Sequence, residues 1–398
     1  MLNINDQISK ELYNEYDGSE KKKTVILKDG QKYLLKLADP VREKNACLSY
    51  INNAYSEYIG CKIAKSIGLP VQDVLLGEYT YIGHNGQTVT RPACLCKDLR
   101  RPGEQMIKLE TVALGFDLND NSSKITFESQ NKLFSKIDEI DTEIFKSFYA
   151  DQFILDALIG NTDRHNGNVS ILVNDESARI CPIYDCGSSL LPTLNDDEIT
   201  ESNFLTICSV ISDKNGRINY TDFFANKSNP DIDNALLRII SKINLPQIDD
   251  IISNTDGLSD KRKEIYKDFL HTRYQKILVP ALERIFDIDN VKQDSGLSSA
   301  ELFLFYKANI APFAKIAIGD KVHLHDSQTD VMKISNKYAI VINNGLCTCL
   351  LPIRSNNNEI RKLISILNLG KPISQQYNST LPEIKNDKIN NDFDDTER

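Results

Sequence analysis

The sequence lacks the features that mark membrane-spanning, secreted and nucleic-acid-binding proteins. No run of 18 or more apolar residues occurs among its 398 residues, so we expect no membrane-spanning helix. Residues 1–7 contain neither a basic segment nor an apolar core, so we expect no conventional secretory signal. The formal net charge of −9 argues against a chain that binds nucleic acid non-specifically.

The cysteine spacing that is typical of zinc sites is also missing. None of the nine cysteines is separated from another by two residues. Cys94 with Cys96, and Cys347 with Cys349, alternate on predicted strands, which indicates small side chains in a reduced interior. The length, with 41% hydrophobic and 26% charged residues, predicts a globular protein of two or three domains in a reducing compartment.

A polar stretch at residues 158–168, LIGNTDRHNGN, lies between two apolar segments. A helical run, 153–159, precedes it and a strand-like run, 169–173, follows it. So many polar groups are costly to bury unless they find partners. Asp163 could accept the proton of a hydroxyl group, and Asn168 could hold Mg²⁺ through its side-chain oxygen.

A second short motif, Asp185-Cys186-Gly187, follows at the distance of a hairpin. Asp185 could bridge a metal ion to phosphate groups, and an Asp, four residues, an Asn and a later D-x-G form the protein-kinase pattern. The alternative is a turn rich in Asn and Asp without chemistry. The two motifs together predict phosphoryl transfer from ATP with Mg²⁺.

The first 95 residues predict a small sheet that carries one helix. The predicted strands are 24–27, 32–37, 71–76, 78–82 and 89–96, and the predicted helix is 48–66. Lys36 stands among apolar residues and needs a partner, which phosphates and the helix residue Glu57 would supply. The alternatives are an edge-strand lysine that reaches solvent and a surface glutamate. Residues 1–16 read as a helical or irregular lead.

The segment Lys97-Asp98-Leu99 ends this sheet, where a two-lobed kinase would read adenine with backbone groups; a plain linker fits the composition equally. Helices are predicted after it, with a kink at Pro280 in the last. Their ranges are 128–140, 142–160, 231–243, 247–254 and 260–286. This pattern predicts a larger, mostly helical lobe after the sheet.

Beyond a linker at 287–300, a small α/β unit is predicted over 300–370. Its elements are helices at 299–308 and 358–367 and strands at 321–324, 338–342 and 348–352. About 70 residues is marginal for an independent core, so we expect this unit to dock on the kinase or on a regulatory partner. His323-x-His325 is more typical of a solvated strand than of a metal site. Residues 371–398 are predicted to be disordered.

Three segments together resemble the HipA-like serine/threonine kinases, in particular the short bacterial members. They are YSEYIGCKIAKSIGL (55–69) with VQDVLLGEY (71–79), LIGNTDRHNGN (158–168) and PIYDCGS (182–188). The similarity runs over about residues 15–290. It implies an α+β, bilobal protein-kinase-like fold, with a small β-rich N-lobe (1–99) and a larger, mostly helical C-lobe (100–290).

The resemblance also implies Mg-ATP-dependent phosphorylation of protein serine or threonine, with autophosphorylation. By matched position, the catalytic residues are Asp163, His165, Asn168 and Asp185, of which Asn168 and Asp185 are the metal ligands. The expected nucleotide site comprises the phosphate loop Gly18, Ser19, Glu20 and Lys21, then Lys36 with Glu57, the hinge Lys97, Asp98 and Leu99, and Tyr184. Ser19 is the serine near the family's modified position. The expected location is the bacterial cytoplasm. Export as an effector by an unconventional route is the alternative, because such a route requires no recognisable signal in the sequence.

Several alternatives stay open on the sequence. Larger toxin members of the family carry an N-terminal subdomain that this sequence does not show, so pairing with an antitoxin cannot be transferred. A toxin kinase controlled by a partner at the C-terminal unit is one alternative. A phosphoinositide-type lipid kinase is another, although no basic membrane-facing cluster supports it. A catalytically silent scaffold is a third, against which the retained charged positions argue. We expect neither a nucleic-acid partner nor a membrane partner.

Overall fold

The computed structural model describes most of the chain in detail. The described residues are 1–12, 22–37, 51–83, 86–116, 124–286, 317–324, 329–353 and 384–385. The chain divides into a first unit, 1–236 with 247–281, and a second unit, 237–246 with 282–398. The first unit has the predicted α+β, two-lobed architecture. Nowhere in the described ranges is a helix both long and apolar enough to cross a bilayer.

The N-lobe is a six-stranded sheet with one helix. Its strands are β1 (Leu2–Asn3), β2 (Ile8–Leu12), β3 (Lys22–Leu27), β4 (Lys32–Leu37), β5 (Val74–Ile82) and β6 (Thr88–Lys97), in the order β1-β5-β6-β4-β3-β2. Alternation along β4 buries Tyr33, Leu35 and Leu37 in an apolar core on one face. Lys36 therefore points to the opposite face, next to helix α1 (Asn53–Ser66).

Two sequence predictions in this lobe are wrong. The lead, predicted to be helical or irregular, instead forms β1, a 3₁₀ turn at Asn5–Gln7 and β2. β1 pairs in parallel with β5, where a Cβ atom at Gly77 would lie 2.4 Å from the Leu2 carbonyl oxygen. Such a long-range pairing leaves no local pattern to read. The strands predicted at 71–76 and 78–82 are the single strand β5.

The C-lobe is mostly helical, as predicted, and contains a small sheet and a hairpin. Its sheet is β7 (Gln105–Lys108), β8 (Ser170–Val173) and β9 (Ala178–Ile180), and its hairpin is β10 (Cys208–Asp213) with β11 (Gly216–Asn219). Its helices are α2 (Leu109–Gly115), α3 (Phe127–Phe134), α4 (Thr142–Ile159), α5 (Glu201–Leu205), α6 (Tyr220–Asn226), α7 (Pro230–Ile239), α8 (Leu245–Ser253) and α9 (Asp260–Arg273). Helix α4 is capped by Asp141, and its buried residues Phe145 and Phe153 stack with other aromatic rings of the lobe.

Helix α9 continues through a π turn (Tyr274–Leu278) into α10 (Val279–Phe286). The kink predicted at Pro280 thus takes the form of a change in hydrogen-bond register just before the proline. A proline cannot donate the i→i−4 backbone hydrogen bond, and a π turn is one way to accommodate the interruption.

Beyond residue 316, the described part of the second unit is an antiparallel sheet. Its strands are β12 (Lys321–Leu324), β13 (Thr329–Lys333), β14 (Tyr338–Asn343), β15 (Leu346–Pro352) and β16 (Ile384–Lys385), in the order β15-β14-β13-β12-β16. The sequence did not predict β13. The helices predicted at 299–308 and 358–367, and the linker at 287–300, lie outside the described residues, as does the tail 371–398 except for β16.

Candidate active site

Lys36 is held between two carboxylates. Its Nζ lies 2.9 Å from Glu57 Oε2 on α1 and 2.6 Å from Asp185 Oδ1. Lys36 is 4% exposed and Glu57 is fully buried. Because isolated charges are costly to bury, these groups stabilise one another only as a paired set. The lysine–glutamate pairing expected from the sequence is present.

The polar stretch after α4 is fixed by a glycine and an asparagine. Gly160 ends the helix in the left-handed region, with φ of 67°, and a Cβ atom there would lie 2.6 Å from the Phe269 ring. Asn161 is buried; its amide donates to Asp156, and its Oδ1 accepts the backbone N–H of Asp163 at 3.0 Å. Its carbonyl accepts the Tyr220 hydroxyl at 3.0 Å. The position of Asp163 is therefore set by buried neighbours.

Asp163 combines a fixed backbone with an accessible carboxylate. Asn168 Nδ2 donates to the Asp163 carbonyl at 2.8 Å, and the Asp163 side chain is 49% exposed. Burial raises the pKa of Asp163, and the charge of Asp185 acts in the same direction, whereas His165, Arg164 and Arg217 oppose the rise. A carboxylate with a raised pKa is suited to accept a proton.

His165 braces the loop and lies beside the carboxylate. Its Nδ1 accepts the Gly167 N–H at 2.9 Å, and its Nε2 lies 3.9 Å from Asp163 Oδ1. The first contact caps the short 3₁₀ turn Asn166–Asn168, which carries Asn168. This geometry fits a supporting residue.

Arg164 is the residue that the sequence reasoning missed. It is 4% exposed, and its guanidinium contacts both oxygens of Asp156, at 3.1 and 3.2 Å. The same group donates to the carbonyls of Tyr184 and Asn168. Arg164 thus ties α4 to both halves of the site. The available signal was Asp156, a lone carboxylate in an otherwise apolar helical run.

Asp185 stands where the second motif begins, with a left-handed φ of 59°. Burial by itself would raise the pKa of Asp185, but the Lys36 ammonium and then Arg164 outweigh it and hold the pKa below its ordinary value. The preceding Tyr184 shares its hydroxyl with Ser170 Oγ at 2.7 Å and donates to the Gly167 carbonyl at 3.2 Å. The two motifs are therefore connected directly.

A cleft of about 240 Å³ is lined by six of the residues predicted from the sequence, which come from both lobes, whereas Glu57, Lys97, Asp163 and His165 are not among its lining residues. Those that line it are Lys36, Asp98, Leu99, Asn168, Tyr184 and Asp185. Lys22, which the resemblance places in the phosphate loop at 18–23, also lines it. Lys32 and Lys108 line it as well, and these two were not assigned from the sequence. Gly18, Ser19, Glu20 and Lys21 lie outside the described residues. The cleft is rich in cations, with apolar walls that include Leu34 and Met106.

The segment 97–99, which the sequence predicts to be the hinge, presents two backbone groups. Lys97 is engaged, because its N–H donates to the Asp73 carbonyl and its carbonyl accepts the Gln72 side chain at 2.7 Å. Within the part of the chain that the structure describes, no hydrogen bond uses the Asp98 carbonyl or the Leu99 N–H. These two groups could face a heterocycle that needs one acceptor and one donor.

The donor set suits a magnesium ion rather than a zinc ion. No group of three or more His, Cys, Asp and Glu side chains that could hold a metal occurs in the described ranges. Asn168 and Asp185 supply oxygens at the cleft, and Mg²⁺ commonly takes one or two protein oxygens together with water and phosphate. Since Asn168 Nδ2 is used by the Asp163 carbonyl, its Oδ1 is the end left for a cation.

Comparison with known proteins gives three findings. The profile of the family described as HipA-like C-terminal domain matches residues 15–244. The serine/threonine-protein kinase CtkA of Helicobacter pylori (strain J99) is 32% identical over 300 residues, which are 69% of this chain and 85% of that protein. The crystal structure of a H. pylori proinflammatory kinase CtkA has a TM-score of 0.61 at 28% identity, covering 73% of this chain and 99% of that chain.

Proposed function

Because the chain belongs to the family of HipA-like C-terminal domains and is a serine/threonine-protein kinase of the CtkA type, we propose that it uses Mg-bound ATP. It transfers the γ-phosphoryl group to serine or threonine of a protein substrate and of its own chain. The observation that carries the proposal is the placement of Lys36 between Glu57 and Asp185, in a cleft that Asn168 also lines.

ATP takes the cleft with its phosphates toward the lysines. Lys36 is the phosphate-binding cation, and Glu57 fixes its side chain from the buried face. The Asp98 carbonyl and the Leu99 N–H bind the adenine edge. On the sequence resemblance alone, we assign phosphate binding to Gly18, Ser19, Glu20 and Lys21, and Ser19 is the first candidate for autophosphorylation.

Asn168 and Asp185 hold the Mg²⁺ ion. When bound, that ion offsets the negative charge of the phosphoryl group being transferred. The low pKa of Asp185 keeps its carboxylate charged and ready for a cation. Arg164 and the Asn168 amide keep these ligands in place, so the protein contributes mainly positioning and electrostatics.

Asp163 orients the acceptor hydroxyl and takes its proton. Its exposed carboxylate is accessible to a substrate, and its buried backbone contacts fix its direction. His165 supports the loop beside it. Removal of a positioned proton acceptor typically lowers turnover by about 10²–10⁴.

The test is autophosphorylation with γ-labelled ATP and Mg²⁺, followed by mapping of the labelled residue. Wild type is compared with Asp163→Ala and Asp185→Ala, and with Asp250→Ala as a control for loss of an exposed carboxylate. We expect label on serine or threonine of the wild type and of the control only. Binding of a fluorescent ADP analogue should persist in Asp163→Ala.

Three results would contradict the proposal. Full labelling of Asp163→Ala would remove that residue from catalysis. Label on phosphoinositide vesicles but not on protein would indicate a lipid kinase. Nucleotide binding without transfer to the chain or to a serine- and threonine-containing peptide library would indicate a scaffold.

The proposed compartment is the bacterial cytoplasm. The eight cysteines in the described ranges are all free thiols, and seven of them are buried. Free buried thiols persist where the environment is reducing. We also propose that a regulatory partner binds the second unit.

A further inference from the structure

A groove of about 750 Å³ lies on the C-lobe outside the cleft. Its floor is apolar and comes from β7, α2 and β8, through Ile107, Val112 and Ile171. Phe116, at the end of α2, lines it with 49% of its surface exposed. Phe116 and the apolar floor together offer a docked chain apolar surface to cover.

The rim of this groove is acidic. Asp138 and Glu139, from the connection between α3 and α4, face Asp175 and Glu176, from the turn between β8 and β9. All four are exposed, and none has an ion pair with another described residue. Lys136 is the one cation among the described lining residues. Four carboxylates against one ammonium give the rim a net negative charge.

The groove and the cleft occupy opposite faces of the same small sheet. Along β7, the side chains of Met106 and Lys108 line the cleft, whereas Ile107 between them lines the groove. Strand β8 begins just after Asn168 and lines the groove through Ile171 and Val173. A chain docked in the groove therefore lies one sheet thickness from the site of transfer.

We propose that this groove docks a basic and apolar peptide segment of the protein substrate. Its leucine-like side chains would cover the floor beside Phe116, and its lysine or arginine residues would face the acidic rim. Charge complementarity selects this occupant over an acidic or neutral segment. The role in substrate recruitment rests on the proposed kinase function, whereas the binding itself does not require catalysis.

The test is a fluorescence anisotropy titration without ATP. The probe is a fluorescein-labelled peptide of about twelve residues, with three lysines followed by a Leu-Gly-Leu segment. The chain tested is Asp163→Ala, so failure of the kinase proposal does not affect the result. The second variant adds Asp138→Lys and Asp175→Lys. The matched control adds Asp250→Lys and Asp268→Lys, two exposed carboxylates on α8 and α9, away from the groove.

We expect saturable binding that weakens as salt increases. The groove variant should bind the peptide at least tenfold more weakly, a loss of about 1.4 kcal/mol or more in binding free energy. The control variant should bind it as tightly as Asp163→Ala alone. A peptide with glutamates in place of the lysines should not bind. In the active kinase, attaching the probe sequence to a substrate peptide should lower KM and leave kcat within twofold.

Equal binding by the groove variant and the control would overturn the proposal, as would equal binding of the acidic peptide. Analytical ultracentrifugation tests whether the groove instead binds a second copy of the chain. If the wild type self-associates and the groove variant is monomeric, the groove holds a second copy of the chain and the substrate proposal fails.

Discussion

Lys36 Nζ lies 2.6 Å from Asp185 Oδ1, although 149 positions separate the two residues. The contact joins β4 of the N-lobe to the second motif of the C-lobe. Glu57 completes the set from α1, with its carboxylate fully buried. Lys36 thus pairs with two carboxylates from two distant parts of the chain. This arrangement leads to a prediction on stability as well as on activity.

Lys36→Met should abolish phosphoryl transfer and destabilise the fold by about 3–5 kcal/mol. The variant leaves the Glu57 carboxylate buried without its cation, and breaking one side of a buried ion pair is expensive. Adding Glu57→Gln should restore much of the stability and none of the activity. Urea unfolding and ATP turnover measure the two effects.

Lys65→Met is the control for this prediction. Lys65 pairs with Asp73 at 2.7 Å, but both side chains are more than half exposed. Exposed pairs contribute about 0–1 kcal/mol, so its loss should be small. Equal destabilisation by Lys36→Met and Lys65→Met would show that burial of the pair does not matter.

Arg164→Lys should lower kcat by about 10–100-fold and leave the KM for ATP within threefold. A lysine can neither form the two contacts with Asp156 nor reach the carbonyls of Tyr184 and Asn168 at the same time. The metal ligands would then lose their alignment, and small misplacements reduce rate strongly. Steady-state kinetics at saturating Mg²⁺ measure the effect.

A buried arginine remote from the cleft provides the comparison. Arg262 on α9 is 3% exposed and contacts Asp196 and the Leu194 carbonyl. Arg262→Lys should lower the melting temperature and leave kcat unchanged. If both lysine variants lower kcat equally, Arg164 acts only through general stability.

The pH dependence of kcat should show an acid limb that reports Asp163. Its pKa is raised mainly by burial, and the carboxylate must be unprotonated to accept a proton. Activity is therefore present above this pKa and lost as pH falls through it. Arg217 lowers the pKa of Asp163, so Arg217→Ala should move the acid limb to higher pH.

Lys214 tests whether this shift is specific. It lies on the turn of the hairpin whose second strand carries Arg217, but it is not among the main charges that shift the pKa of Asp163. Lys214→Ala should leave the acid limb in place. A shift to lower pH in Arg217→Ala, or equal shifts in both variants, would contradict the assignment of the limb to Asp163.

The sequence was most informative where local pattern and chemistry coincide. The strand Lys32–Leu37 was predicted with its observed bounds, because a short run of leucines with the aromatic Tyr33 and the preceding Asp29-Gly30 turn mark it locally. The placement of Asp163, Asn168 and Asp185 near one another followed from motif spacing. By contrast, β1 depends on its pairing with β5 across more than 70 residues, which no local pattern records.

The supporting residues of the site were harder to predict for the same reason. Arg164 acts through Asp156 and the Tyr184 carbonyl, and its contacts appear only once three segments are folded together. The cleft lysine Lys108 is likewise placed by the pairing of β7 with β8. Sequence motifs indicate which side chains contact the reacting groups, whereas packing determines which residues hold them.

The ion pair between Glu104 and Arg179 lies beside the predicted hinge residue Leu99. Glu104 accepts Arg179 Nε at 2.8 Å and Nη2 at 2.7 Å, and Arg179 also donates to the Leu99 carbonyl at 3.0 Å. The Arg179 hydrogen bonds lower the pKa of Glu104 from 4.5 to about 2. The charged pair thus holds Leu99, whose N–H we assign to adenine. Glu104→Gln should raise the KM for ATP by about 3–10-fold with kcat within twofold, because it acts on binding geometry.

Glu104→Gln should also make the stability of the fold depend less on pH in the acid range. A carboxylate whose pKa is lower in the folded state stabilises the fold above its unfolded value, and that contribution is lost as pH falls from 4.5 toward 2. The contribution is on the order of 2 kcal/mol. Melting temperatures of Glu104→Gln should therefore fall less steeply in this range than those of wild type. Glu143→Gln removes an exposed carboxylate paired with Lys146, and its melting temperature should depend on pH as that of wild type does. If the melting temperatures of all three proteins fall equally with pH, the acid-range stabilisation does not come from Glu104.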